Sequence, residues 1–176
     1  FLYLAMIDSD ADKSKFEILY SEYKNLMYYT ANRILRNSRD AEDVVHQAFL
    51  KVIEILDTIS SPRCHKTRAL LVTITEHKAI DLYREKQRRN VLPLAEEYVG
   101  AAPAAEIERL AERDTLAAAI AALPPRYRSV LLLRYDCGYS NAEIANILDT
   151  TEPNVRKLIQ RAKEKLSAAL SGMEEP

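Results

Sequence analysis

Residues 140–165 decide the fold, and they read SNAEIANILDTTEPNVRKLIQRAKEK. A serine followed three residues later by a glutamate forms a capping box, so Ser140 and Glu143 predict the start of a short helix that ends near Leu148. A three-residue turn follows, and a longer basic helix begins near Glu152. Apolar residues on both helices, including a small alanine where the axes must approach closely, allow the pair to pack. The stretch therefore predicts a helix-turn-helix.

The second helix of this pair presents polar and basic side chains along its N-terminal half. In the major groove of duplex DNA, amide side chains can read adenine, and guanidinium or ammonium groups can read guanine. The side chains with this chemistry are Asn154, Arg156, Lys157, Gln160 and Arg161. Further along, Lys163 and Lys165 are candidates for phosphate contacts. An ordinary helical hairpin with hydrated charges fits the same pattern.

The rest of the chain also indicates helices. Three glycines in 176 residues exclude a glycine-rich phosphate loop and argue against a turn-rich β fold. Apolar residues recur every three or four positions, which is typical of amphipathic helices. The helices predicted outside the motif cover approximately residues 16–35, 41–56, 66–89, 105–123 and 126–135. The predicted fold class is all-α, with Gly138 as a left-handed cap after the last of these helices.

A break in periodicity divides the chain. Residues 90–105 contain one glycine and two prolines and show no helical pattern. We therefore expect two small helical domains, residues 1–89 and 106–176, joined by a flexible linker over 90–105.

The net charge of −1 hides strong local differences. Residues 63–89 hold eight basic and three acidic side chains, residues 90–122 hold two and six, and residues 152–165 hold five and two. Two basic segments separated by an acidic one indicate two surfaces that face anions, although charged helix faces are often merely hydrated.

The cysteine content and the hydropathy of the chain indicate the cellular compartment in which the protein works. Cys64 and Cys137 provide neither a disulfide framework nor a CxxC pair, which favours a reduced, cytoplasmic compartment. No apolar run reaches the length of about 18 residues that a membrane-spanning helix needs. The apolar opening of the chain lacks the basic flank and the cleavage site of a signal peptide. We expect no membrane partner.

An enzyme is an alternative class. Asp43 and His46 have the spacing of a carboxylate–histidine metal pair, but a helical di-metal site needs a second pair, and Glu76-His77 has the wrong spacing. Cys64-His65 is more typical of a loop than of a ligand set. We therefore expect no catalytic residues, no metal and no cofactor.

Four motifs, in order along the chain, resemble those of the extracytoplasmic-function sigma factors, the compact group of the sigma-70 family of bacterial RNA polymerase. Residues 40–50 read DAEDVVHQAFL and residues 78–84 read KAIDLYR. Residues 123–135 contain LPPRYR followed by LLLRY, and residues 138–145 read GYSNAEIA, with Val155-Arg156 beyond them. The resemblance covers about residues 16–170.

The resemblance implies that the chain gives RNA polymerase its promoter specificity and helps to open the duplex. A sigma2-like helical bundle would occupy residues 1–89, and a sigma4-like helix-turn-helix domain would occupy residues 106–176. In the family, the helix at 40–55 docks on the clamp helices of the large subunit of core polymerase. The residues implied at that contact are Asp40, Glu42, Asp43, His46, Gln47 and Leu50.

The resemblance also implies two contacts with promoter DNA. The loop and helix at 61–89 would capture the minus-ten element as a melted single strand, which requires cationic groups and a pocket for an unstacked base. The residues implied there are Arg63, Lys66, His77, Lys78, Arg84 and Arg88. The helix-turn-helix would read the minus-thirty-five element as duplex. Family analogy alone implies an anti-sigma factor as a further partner.

Several residues depart from the family pattern. Leu70 stands where tryptophan is frequent, His77 where asparagine often lies near the captured base, and Glu76 and Leu158 where arginine is frequent. Asp149 replaces the usual glycine of the turn, although aspartate can adopt the left-handed conformation. These changes leave the promoter sequence open. The alternative function is a stand-alone helix-turn-helix transcriptional regulator that binds duplex DNA without polymerase.

Overall fold

The computed structural model describes residues 2–89 and 99–174, with the side chains of residues 173 and 174 excepted. The described residues form helices and turns without any strand, so the predicted all-α class is confirmed. The chain divides into two compact units between residues 91 and 92. None of the described helices is both long and apolar enough to cross a membrane.

Three long helices build the first unit: α1 (Asp10–Leu35), α2 (Ser38–Glu54) and α3 (His65–Arg89). Side chains cap the first two helices. The Ser9 hydroxyl accepts a hydrogen bond from the backbone amide of Asp12 at 3.0 Å. The Asn37 side chain accepts one from the backbone amide of Asp40 at 3.1 Å. Because Asn37 supplies this cap, α2 begins at Ser38, a few residues before the predicted start. Short 3₁₀ segments lie at Leu2–Met6 and Leu56–Thr58.

The core of the first unit lies where the three helices meet. Helix α3 is central, because its middle is buried around most of its circumference. The fully buried side chains with the largest volumes in this core include Phe16, Leu19, Met27, Phe49, Leu70, Leu71 and Ile74. Burying each such side chain contributes about 1.5–3 kcal/mol to folding.

The described residues of the second unit form five α-helices: α4 (Ala104–Ala111), α5 (Thr115–Ala121), α6 (Pro125–Leu131), α7 (Asn141–Ile147) and α8 (Glu152–Glu174). A π-helical turn, Leu132–Asp136, continues α6. It is closed by the Cys137 amide, which donates to the Leu132 carbonyl at 2.9 Å. Gly138 follows with a φ of 79°, the left-handed conformation predicted for it.

The single helix predicted over 105–123 is wrong, because the structure has two helices there. The Asp114 side chain accepts hydrogen bonds from the backbone amides of Leu116 and Ala117 at 3.0 and 3.2 Å. Asp114 therefore caps the start of a new helix instead of continuing α4. Residues 104 and 105, assigned above to the linker, belong to the first turn of α4. The rest of the predicted linker lies partly outside the described residues, which resume at residue 99.

Candidate functional site

Helices α7 and α8 form the predicted helix-turn-helix. Ser140 and Glu143 make the reciprocal capping box, with both hydrogen bonds at 3.1 Å. The turn between the helices contains Asp149 with a φ of 53°, so aspartate does adopt the left-handed conformation here. The Thr150 amide donates to the Ala145 carbonyl at 2.9 Å and closes the turn.

Apolar side chains fix the angle between the two helices. Ile144, Ala145 and Leu148 of the first helix are buried, as are Val155 and Ile159 of α8. Ala145 contributes only a methyl group to this contact, which lets the two backbones approach closely. The packing predicted from the sequence is therefore present, and it leaves the other side of α8 in solvent.

The five residues predicted to face DNA all lie on that solvent side of α8. Asn154, Arg156, Lys157, Gln160 and Arg161 are exposed, whereas Val155, Ile159 and Ala162 on the opposite side are buried. The exposed face therefore presents two amide groups and three cations on a single rigid helix, the chemistry that base edges in a major groove require.

Local contacts hold some of these side chains in the free protein. Asn154 Nδ2 donates to Thr150 Oγ1 at 3.1 Å, and the Arg156 guanidinium lies 3.5 Å from the Glu152 carboxylate. Both contacts are exposed to solvent. An exposed ion pair contributes at most about 1 kcal/mol, and an exposed hydrogen bond between neutral groups is similarly weak. A nucleic acid can therefore replace these contacts at little cost.

The two lysines proposed for phosphate contacts lie over tyrosine rings. Lys163 Nζ is 5.2 Å from the centroid of Tyr135, and Lys165 Nζ is 5.4 Å from that of Tyr127. Tyr135 is 59% exposed, and Arg134 also approaches its ring, at 5.8 Å. Cation–π contacts of this kind hold an ammonium group in place while leaving it hydrated.

In the first unit, α2 presents a stripe that we call the α2 face: Glu42, Asp43, His46, Gln47 and Leu50. The first four are exposed, and Leu50 is half-buried. Their spacing of one, three and four residues places them on one side of the helix. Asp40, the sixth predicted polymerase contact, lies one turn before Asp43, and its carboxylate, 16% exposed, is paired with Lys86 of α3.

A residue that the sequence analysis missed lies against the α2 face. The Tyr3 hydroxyl is 2.6 Å from His46 Nδ1, and the Tyr3 ring packs at 5.3 Å from Phe16 and 5.9 Å from Phe49. The Leu2–Met6 segment thus covers part of the helix that carries the predicted polymerase contacts. A short apolar run at the start of a chain has no periodicity that would indicate such a contact.

The basic residues predicted along α3 form two groups instead of one track. Lys66 lies near the N-terminal end, and Arg84 and Arg88 lie near the other end, about 27 Å and about 33 Å from Lys66 along the axis at 1.5 Å per residue. Between them the helix is largely buried, with His77 and Lys78 half-buried.

Ion pairs reduce the positive charge of this segment. Arg89 lies 3.2 Å from Glu85, and Arg63 lies 3.0 Å from Glu22 of α1. His77, which carries charge only when protonated, lies 3.4 Å from Asp81.

The loop before α3 contains the remaining residue predicted to contact the minus-ten strand, Arg63. Thr67, buried in the first turn of α3, lies with its hydroxyl 3.3 Å from the Cys64 sulfur. Hydrogen bonds that the Thr67 hydroxyl and amide can donate to the thiolate form lower the pKa of the Cys64 thiol below its ordinary value. Within the described residues, no group of three or more histidine, cysteine or acidic side chains could hold a metal ion.

Two family models match the chain. Residues 19–89 match Sigma-70 region 2, and residues 113–166 match Sigma-70 region 4. The chain belongs to the sigma-70 family. Region 2 corresponds to most of α1, all of α2 and all of α3, and region 4 ends within α8.

Curated relatives confirm the predicted membership in the extracytoplasmic-function group. This sigma factor is 28% identical over 171 residues to ECF RNA polymerase sigma factor SigW of Bacillus subtilis, which covers 90% of each chain. It is 26% identical over 162 residues to ECF RNA polymerase sigma factor SigL of Mycobacterium tuberculosis, with 91% of each chain covered. A solved structure of CnrH in complex with the cytosolic domain of CnrY is 28% identical, covers 89% of this chain and 88% of that one, and superposes with a TM-score of 0.39.

Proposed function

We propose that this sigma factor directs core RNA polymerase to specific promoters and helps to open the DNA there. The observation that carries the proposal is the presence of both Sigma-70 region 2 and Sigma-70 region 4 in one chain. Each region contains an exposed surface suited to its proposed contact. A stand-alone regulator would use the helix-turn-helix alone. It would leave the α1–α3 unit and its match to region 2 without a role.

The proposed division of labour follows the two units. Residues 1–89 bind core polymerase and the minus-ten element, residues 106–176 bind the minus-thirty-five element, and residues 90–105 connect them. Two modest DNA contacts on one tethered chain reinforce each other when polymerase holds both at the correct spacing.

The exposed face of α8 reads the upstream element. Asn154 and Gln160 can each make paired hydrogen bonds with adenine, and Arg156 can do so with guanine. Lys157 and Arg161 lie on the same exposed side and supply either base or phosphate contacts. Each good base contact is worth about 1–3 kcal/mol of discrimination against the wrong base.

The α2 face binds core polymerase. It combines two carboxylates, Glu42 and Asp43, with the polar His46 and Gln47 and the half-buried Leu50. An acidic rim beside an apolar group suits a partner surface with basic side chains around an apolar patch. Asp40, one turn before Asp43, belongs to the same proposed contact, and its pairing with Lys86 also joins α2 to the C-terminal end of α3.

The loop before α3 and the two basic groups of α3 bind the melted minus-ten strand. Arg63 and Lys66 lie at one end and Arg84 and Arg88 at the other, with His77 and Lys78 half-buried between them. A strand held at two cationic ends places its middle against the helix, where an unstacked base can be captured.

The proposal includes no chemistry of its own for this chain. Sigma factors in general are not enzymes, and we propose neither a catalytic residue nor a cofactor or metal here. Because a sigma factor acts on cytoplasmic RNA polymerase, the proposed location of the protein is the cytoplasm. An anti-sigma factor stays a prediction from family analogy.

Run-off transcription with core polymerase and genomic fragments tests the proposal. We expect transcripts from a subset of promoters, and salt should suppress them steeply because phosphate contacts release counterions. Core polymerase without the chain is the control. Failure to form a complex with core polymerase would overturn the proposal, and a specific gel shift on duplex DNA without polymerase would support the stand-alone regulator.

A further inference from the structure

The loop that precedes α3 is anchored by hydroxyl groups from two helices. The Tyr23 hydroxyl of α1 donates to the Pro62 carbonyl at 2.7 Å. The Thr67 hydroxyl of α3 donates to the Ser61 carbonyl at 2.5 Å. Consecutive carbonyls of one short loop are therefore fixed by side chains that are 44 residues apart in the sequence.

Both anchoring residues are buried, while the loop presents other groups to solvent. Tyr23 is 8% exposed and Thr67 is 4% exposed, whereas Ser61 and Arg63 are exposed. Burial raises the pKa of the Tyr23 phenol, so its hydroxyl stays protonated and remains a donor at neutral pH. The anchors thus lie beneath the loop and cannot themselves be the groups that a bound strand touches first.

Further contacts restrain the same loop. Thr67 Oγ1 also lies 3.3 Å from the Cys64 sulfur, and Arg63 is paired with Glu22, one residue before Tyr23 on α1. A loop of four residues that is held at each position has little conformational freedom left to lose when a ligand binds.

We propose that Tyr23 and Thr67 are positioning residues that hold residues 61–64 in the shape that accepts one unstacked base of the minus-ten strand. The inference rests on the proposed function, because only strand capture brings a base to this loop. Neither residue touches the base. Each acts by fixing a carbonyl of the loop, so the loop has its shape before the strand arrives and binding orders fewer groups.

An experiment that removes one base at a time from the bound strand distinguishes a role of Tyr23 and Thr67 in base capture from a role in stability alone. Holoenzyme made from core polymerase and the full chain is titrated with a fluorescent single strand that carries the minus-ten element of a promoter active in the run-off assay. An abasic site is then moved along the strand. For the unaltered chain we expect one position at which base removal weakens binding about tenfold, as for the loss of one stacked base.

The variants Tyr23→Phe and Thr67→Val each remove one hydroxyl while keeping the shape of the side chain. We expect binding of the intact strand to fall several-fold and the abasic penalty to shrink to less than about threefold, because a loosened loop no longer distinguishes a base from its absence. Thr67→Ser keeps the hydroxyl and should restore the full penalty. Tyr29→Phe, at a position of α1 that is 67% exposed, is the matched control and should change nothing.

The outcomes are distinguishable. If the unaltered chain shows no sensitive position, base capture itself is wrong, and the inference falls with that part of the proposed function. If it shows one and both hydroxyl-free variants keep the full tenfold penalty, the positioning role alone is overturned. If Tyr23→Phe fails to fold, the comparison of Thr67→Val with Thr67→Ser decides. Pull-down of core polymerase by every variant confirms that the α2 face is intact.

Discussion

The Lys86 ammonium near the C-terminal end of α3 is paired with the Asp40 carboxylate in the first turn of α2. The Asp40 side chain is 16% exposed and that of Lys86 is 46% exposed, so the pair lies at the edge of the bundle. It joins the helix proposed to bind polymerase to the helix proposed to bind the melted strand. Asp40 also lies near the positive end of the α2 dipole, which favours a carboxylate there.

The first prediction concerns this ion pair. Asp40→Asn and Lys86→Met should each lower the free energy of unfolding by about 1 kcal/mol or less, because the pair is partly exposed. The double variant should lose less than the sum of the two, which urea unfolding in a double-mutant cycle measures. Binding of core polymerase should fall less for Asp40→Asn than for Asp43→Asn, whose carboxylate is exposed on the α2 face. An equal or larger loss for Asp40→Asn would make it a direct polymerase contact.

The second prediction concerns the DNA-facing side of α8. Arg156→Ala and Gln160→Ala should each weaken promoter-dependent transcription by an amount equivalent to about 1–3 kcal/mol at limiting holoenzyme, because each removes a base contact. The measurement is run-off transcription over a range of holoenzyme concentrations. Ser171→Ala, also exposed but about three turns beyond Gln160 on the same helix, is the control. Unchanged transcription for both variants would show that the helix reads DNA through other residues.

The sequence predicted α1, α2, α3, α7 and α8, because each of these helices either has a long apolar stripe or begins with a recognisable cap. It did not predict the separation of α4 from α5. An aspartate within an alanine-rich helical pattern reads as helix interior, and only the capping bonds of Asp114 reveal a new start. The contacts of Tyr3 and Tyr23 were equally invisible, since they join residues 43 and 39 positions apart.

The two predicted DNA-binding sites differ in how much of their arrangement could be predicted from the sequence. The DNA-facing residues of α8 lie together because they lie on one helix, where spacing alone fixes the shared face. The basic residues of α3 were expected to form one cationic surface, yet the burial of the middle of α3 divides them. Burial depends on how α1 and α2 pack around α3, which the charge pattern of one segment does not encode.

The third prediction concerns the N-terminal segment over the α2 face. Tyr3→Ala should lower the free energy of unfolding by about 1–2 kcal/mol, because the ring packs against Phe16, Tyr20 and Phe49. Tyr3→Phe keeps the ring and removes only the hydroxyl that contacts His46, so it should cost less than about 1 kcal/mol. Urea unfolding monitored by circular dichroism measures both. Equal losses would mean that the hydrogen bond, and not ring packing, holds the segment.

The fourth prediction concerns the two cysteines. The Thr67 hydroxyl can turn its single hydrogen from the Ser61 carbonyl to a thiolate sulfur 3.3 Å away, and this bond together with that of the Thr67 amide lowers the pKa of the Cys64 thiol. A larger fraction is therefore thiolate at neutral pH, and alkylation should proceed at lower pH than for an ordinary cysteine. Thr67→Val removes the hydroxyl and should shift the pH profile of Cys64 alkylation upward. Cys137 is buried and should stay unmodified in the folded protein, which makes it an internal control in mass spectrometry. An unshifted profile for Thr67→Val would exclude the hydroxyl as the cause.

The fifth prediction concerns the turn between α7 and α8. Asp149 has a φ of 53°, a conformation that costs most residues other than glycine about 1–2 kcal/mol. Asp149→Gly and Asp149→Ala remove the same carboxylate, so their difference isolates the backbone cost. We expect the alanine variant to be less stable than the glycine variant by about 1 kcal/mol in urea unfolding. Because the turn sets the angle between α7 and α8, transcription from promoters that depend on the minus-thirty-five element should fall more for Asp149→Ala than for Asp149→Gly. If the two variants unfold at the same urea concentration, the left-handed turn stores no measurable strain and other contacts determine the angle.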